Sequence, residues 1–93
     1  MSTKIALIVD DSKTAQLRLK KLLEKYDTKV EVSFSAEHAL SMLPSLSPDI
    51  LFTDHTMDGM DGLEALKIIK SNPNTAMIPV IMYTAQSLSL IHI

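Results

Sequence analysis

The sequence predicts an α/β fold built on a parallel sheet, and three observations predict it. Ile5–Val9 and Ile50–Thr53 are continuous apolar runs, the pattern of strands covered on both faces. Between and after them the apolar residues recur at helical spacing. Strand-like and helix-like segments alternate along the chain, so parallel βαβ units with right-handed crossovers are the default arrangement.

Each element has its own warrant. From Ser12 the period changes, and Ala15, Leu19, Leu22, Leu23 and Tyr26 fall on one helical face, with Asp11 or Ser12 able to cap the helix. Asp27-Thr28 breaks it. Val30, Val32 and Phe34 alternate with Lys29, Glu31 and Ser33, which suits a half-exposed strand near a sheet edge. Ala36, Ala39, Leu40 and Leu43 form a shorter helical stripe, and Pro44 and Pro48 are expected to bracket a loop before the strand Ile50–Asp54. His55 to Gly62 has no period and reads as a loop. Asp61 and Glu64 resemble a capping pair for a helix that carries Leu63, Leu66 and Ile69 inward and stops before Asn72-Pro73. Ile78–Tyr83 is the last expected strand, with Pro79 tolerable only near its beginning.

The bulk numbers bound the function. The chain has 93 residues, enough for one small domain. Its hydrophobic content of 46% with 22% charged residues fits a globular protein rather than a disordered one. A net charge of −2 argues against a generic nucleic-acid or membrane-surface binder. Cysteine is absent, so disulfides and thiol catalysis are excluded. The apolar run after Met1-Ser2-Thr3-Lys4 is too short for a signal-peptide core or a membrane span, and a cytoplasmic location is expected.

Chemistry concentrates in three aspartates at the C-terminal ends of predicted buried strands. Asp10 and Asp11 follow Val9, and Asp54 closes Ile50–Thr53. In a parallel sheet those ends lie side by side, and ligands bind in the crevice beyond them. Carboxylates crowded there repel one another unless a cation intervenes. A hard divalent ion with oxygen ligands, Mg²⁺ first, is the natural partner, and an aspartate beside it can attack a phosphoryl group.

Three blocks carry a resemblance that spans residues 5 to about 85. They are Leu7-Ile8-Val9-Asp10-Asp11-Ser12, then Asp54-x-x-Met57-x-x-Met60-Asp61-Gly62-x-Glu64, then Ile78-Pro79-Val80-Ile81-Met82-Tyr83-Thr84-Ala85. In order and interval they resemble the receiver domain of two-component response regulators. The resemblance implies a flavodoxin-like, doubly wound sheet in the order 2-1-3-4-5 with helices on both faces. It also implies roles. Asp54 would accept a phosphoryl group from the phosphohistidine of a sensor histidine kinase or phosphotransfer protein. Asp11 would bind Mg²⁺ directly, and Asp10 would act through water. The backbone carbonyl of Thr56 would complete the protein ligands. The hydroxyl of Thr84 would move toward the phosphoryl group as a switch, passing a conformational change to an output domain or downstream protein.

Two departures qualify the resemblance. Asp58 stands where the family usually has proline, so the loop loses a fixed φ angle and gains an acid. After Thr84-Ala85 the family continues through a helix, a strand ending in Lys-Pro and a further helix, yet no lysine follows Lys70 here. The expected sheet is therefore 2-1-3-4, without the fifth strand and last two helices. The ending Leu88-Ser89-Leu90-Ile91-His92-Ile93 resembles the translation of a sequencing-library transposon adapter. On that reading residues 1–87 form an incomplete receiver domain and 88–93 a non-native tail. A strand burying three or four apolar side chains contributes roughly 5–12 kcal/mol, against a whole-domain stability of ~5–15 kcal/mol. The expectation is a marginal, signalling-incompetent chain with Val80-Ile81-Met82 as an exposed apolar edge.

Other features have plainer readings. His55, His38 and His92 lack a second histidine or cysteine at ligand spacing. The methionines do not cluster as a soft-metal site, and Lys20-Lys21 suits a solvated helix face. Two alternatives to a signalling module remain. One is a Mg²⁺-dependent phosphohydrolase of the haloacid-dehalogenase type, which normally carries Asp-x-Asp after its first strand, where this chain has Asp-Asp. The other is a gene fragment without function.

Overall fold

The computed structural model describes residues 4–54, 62–83 and 90–92. Within them the chain runs β1 (Lys4–Val9), α1 (Lys13–Glu24), β2 (Thr28–Ser33), α2 (Ala36–Leu46), β3 (Ile50–Asp54), α3 (Gly62–Ser71), β4 (Val80–Tyr83) and β5 (Leu90–His92). The sheet has the order β2-β1-β3-β4-β5. The first four strands are parallel, in the expected 2-1-3-4 arrangement.

The far edge differs from expectation. Val80-Ile81-Met82 is not a bare edge, because β5 pairs antiparallel with β4, placing His92 opposite Ile81 and Leu90 opposite Tyr83. The last residues satisfy backbone groups that an open edge leaves unpaired, which lowers the drive for pairing between chains. A parallel fifth strand is not found among the described residues.

Alternation along the strands divides the core into two layers. Leu7, Val9, Leu51, Val80 and Met82 pack with Ala36, Ala39 and Leu43 of α2 and Ala65, Leu66 and Ile69 of α3. On the opposite face Ala6, Ile8, Phe52 and Tyr83 are buried, and Leu19 and Leu23 of α1 lie against them with Val30 and Val32. The continuous apolar runs of β1 and β3 thus serve both layers, as strands covered on two sides must.

Local chemistry sets the element ends. Ser12 caps α1, its hydroxyl accepting from Ala15 N at 3.3 Å, and Ser35 caps α2, accepting from His38 N at 3.1 Å. Helix α2 runs on through Pro44 to Leu46 instead of ending there. Proline removes one bond to the carbonyl four residues back, but Leu43, Leu46 and Met42 on this stretch still pack into the core layer. The helix closes at Ser47, whose left-handed φ of 47° lets its N–H reach the Leu43 carbonyl at 3.0 Å. Pro79 stands just before β4, where its missing N–H is harmless and its carbonyl accepts from Leu51 N at 2.9 Å.

Four residues expected to face inward are exposed instead. Leu22 and Tyr26 of the α1 stripe are 49% and 71% exposed, and Phe34 and Leu63 are also open to solvent. Phe34 follows Ser33, the last β2 residue in register with β1, so no sheet lies beneath it. Tyr26 lies beyond the C-cap of α1 at Lys25.

Candidate metal centre

The parallel register brings the acidic residues together. Val9 pairs with Thr53, so Asp10 and Asp54 emerge side by side where β1 and β3 end. Asp10 and Asp54 are 0% and 5% exposed, while Asp11, next along the turn into α1, is exposed. One carboxylate oxygen from each of Asp10, Asp11 and Asp54 lies within 4.8 Å of the others. A single divalent cation accommodates such a donor set. Among the described residues the donors are all hard oxygens, with no nitrogen or sulfur, which matches Mg²⁺ rather than a softer metal.

The buried member is held from several sides. Asp10 Oδ1 accepts from Ser12 N at 2.8 Å, and Asp10 Oδ2 accepts from the Tyr83 hydroxyl at 2.6 Å. The Asp10 backbone is tied down as well. Its N–H donates to the Ser33 carbonyl at 3.0 Å. The Gln16 side-chain amide donates to the Asp10 carbonyl at 2.6 Å and to the Ser33 carbonyl at 3.1 Å. Gln16 thus joins the ends of β1 and β2 under the first turn of α1.

Gln16 and Tyr83 are the site residues that the sequence reading missed. Gln16 had a usable signal, since it lies four residues after the Ser12 cap and therefore on the same helix face. Tyr83 had only its place in the third block, read as the end of a strand. Thr56 and Thr84, expected to contribute a carbonyl ligand and a switch hydroxyl, lie outside the described residues, as do His55, Asp58 and Asp61.

Tyr83 titrates abnormally. Its burial raises the phenol pKa well above the ordinary value of 10.0, and the hydrogen bond to Asp10 and the negative charges of Asp10, Asp54 and Asp11 raise it further. Below pH ~10 the phenol is neutral in folded and unfolded chains alike, and its link to Asp10 contributes in full. Above that pH the unfolded chain releases a proton that the folded chain keeps. Stability then falls by about 1.4 kcal/mol per pH unit from this group. We expect the urea midpoint to drop more steeply above pH ~10 in the wild type than in Tyr83→Phe. Equal slopes would contradict the assignment.

Residues 6–90 match the response regulator receiver domain family. The chain belongs to that family. Among curated relatives, this receiver domain is 31% identical over 80 residues to Protein PilH of Pseudomonas aeruginosa, covering 86% of this chain and 66% of PilH. It is 38% identical over 87 residues to the DNA-binding transcriptional regulator NtrC of Klebsiella pneumoniae, covering 94% of this chain and 18% of NtrC. The receiver domain thus spans from about a fifth to two thirds of the length of these relatives. Its structure superposes on the N-terminal domain of a response regulator receiver protein from Methanoculleus marisnigri with a TM-score of 0.85 and 38% identity, over 95% of this chain and 72% of that one. The two-component family and the flavodoxin-like sheet expected from the three sequence blocks are therefore both correct. No described helix is long and apolar enough to cross a membrane.

Proposed function

We propose that this chain takes a phosphoryl group onto Asp54 from the phosphohistidine of a sensor histidine kinase or a phosphotransfer protein, in a Mg²⁺-dependent step. The observation that carries the reading is the convergence of Asp10, Asp11 and Asp54 within 4.8 Å at the carboxyl end of the sheet. When bound, Mg²⁺ would offset the charge of these carboxylates and of the incoming phosphoryl oxygens.

The chain's own residues do the rest. Asp11 would hold the cation directly and Asp10 through water, with the Thr56 carbonyl as the further ligand implied by the family. An Asp54 carboxylate oxygen attacks phosphorus in line, and the bond from phosphorus to the donor imidazole nitrogen breaks. The imidazole nitrogen then takes up a proton. Little covalent chemistry is asked of the protein, so positioning supplies most of the acceleration. Thr84 is assigned as the hydroxyl that turns toward the new phosphate, which adds roughly −1.5 to −2 of charge near pH 7. A donor that prefers this modified state shifts a two-state equilibrium.

On this reading the chain is a cytoplasmic signalling module that catalyses part of its own modification, not an enzyme acting on an external substrate. Phosphoryl uptake is assigned to these residues. The test is incubation with acetyl phosphate and Mg²⁺, read by intact mass. One added phosphoryl group is expected, and none when EDTA replaces Mg²⁺. Uptake that is indifferent to EDTA counts against the metal's role.

A further inference from the structure

We propose that Tyr83 is a positioning residue for the cation pocket, its phenol fixing the Asp10 carboxylate in the orientation that serves the metal. The proposal rests on the reading of Asp10, Asp11 and Asp54 as a Mg²⁺ site.

The geometry is specific. Tyr83 is on β4 and Asp10 follows β1, with β3 lying between those strands. Asp54 pairs with Tyr83 in the β3–β4 ladder. The Tyr83 ring is buried in the layer that also contains Ile8 and Phe52. From there its hydroxyl spans β3 and donates to Asp10 Oδ2 at 2.6 Å, a short bond of the charge-assisted kind. The other oxygen, Oδ1, is already taken by Ser12 N at 2.8 Å. A fully buried carboxylate is thus gripped at both oxygens by donors from different elements. Each oxygen has a second lone pair, which stays available to a cation or its water.

Packing alone does not account for this residue. Phenylalanine would fill the same space without a hydroxyl to desolvate, and a buried hydroxyl is unfavourable unless it finds a partner. Here the partner is a member of the acidic cluster. Three close carboxylates repel one another, and a donor aimed at the most buried one counters that repulsion. Groups that orient metal-binding carboxylates from behind change metal affinity when removed, typically by ~10–100-fold. Tyr83 fits that description.

The experiment is a Mn²⁺ titration with free ion counted by electron paramagnetic resonance, on wild type, Tyr83→Phe, Asp10→Asn and the double variant, each checked by a far-UV circular dichroism melt. We expect Tyr83→Phe to weaken Mn²⁺ binding by about tenfold or more. The same change should have no further effect once Asp10 is Asn, because the hydroxyl acts through that carboxylate. Equal Mn²⁺ affinity in the Tyr and Phe proteins overturns the proposal. So does a loss that persists in the Asp10→Asn background, which would mark ring packing. If Tyr83→Phe melts too early to titrate, the fluorescence of Tyr83 in Tyr26→Phe protein replaces it. That signal must change as Mg²⁺ saturates, and a flat signal also overturns the proposal. Wild type that binds no Mn²⁺ removes the metal site itself and the proposal with it, an outcome distinct from any difference between variants.

Discussion

Asp54→Asn is expected to abolish phosphoryl uptake from acetyl phosphate while leaving the fold intact. Asparagine keeps the shape of the side chain at a position that is 5% exposed, so packing changes little. On the proposed function it removes the anionic oxygen that would attack phosphorus, since a neutral amide is a poor nucleophile. Intact mass should show no added phosphate under conditions that modify the wild type fully. The substitution also takes one negative charge out of a cluster whose carboxylates lie within 4.8 Å. Without divalent metal the melting temperature should therefore hold or rise, as fewer like charges repel. The two readouts together separate a lost nucleophile from a lost fold. Phosphate that still appears on the Asn protein would place the acceptor elsewhere, with Asp10 and Asp11 the nearest candidates.

Leu51→Ala is expected to destabilise the domain more than any surface change. Leu51 is 1% exposed in the middle of β3, in the layer shared with Leu7, Leu43, Leu66, Ile69 and Val80. β3 pairs on both sides, with β1 and with β4, so the sheet has little freedom to collapse onto a cavity. Such truncations cost ~2–5 kcal/mol, out of a total that for a domain of this size is ~5–15 kcal/mol. For a chain this short each kcal/mol shifts the midpoint by about 4–8 °C, so a fall of roughly 8–40 °C is expected in a circular dichroism melt. Leu63→Ala is the control. Leu63 is 44% exposed, and its loss should stay within ~0.5 kcal/mol. A Leu51 variant that melts with the Leu63 variant would mean that the α2–α3 layer does not pack as described.

The contrast between Leu51 and Leu63 marks how far the sequence reaches. Runs such as Ile5–Val9 are legible because a strand covered on both faces has no reason to alternate. Helical spacing located α1 and α3 for a similar reason: one face must meet the sheet. Periodicity gives a direction, however, and not the amount of sheet beneath it. Leu22, Tyr26, Phe34 and Leu63 carry the right spacing but lie where little or nothing covers them. Pro44 misled in the opposite sense. A proline signals a helix end locally, yet the apolar contacts of Leu43 and Leu46 carry α2 past it. Likewise the last residues, read from sequence as a tail outside the domain, pair as β5 with the edge that β4 presents.

The acidic centre divides in the same way. The sequence alone determined the three aspartates, their hard-oxygen chemistry and their place beyond strand ends, because a strand's end and a carboxylate's charge are local properties. Only the tertiary structure decided which other groups touch them. No spacing rule relates Asp10 to Tyr83, 73 residues later. Their contact exists because the order β1-β3-β4 sets those strands one neighbour apart. The residue parity of β4 then turns Tyr83 onto the layer of Ile8 and Phe52, on the same side as the Asp10 carboxylate.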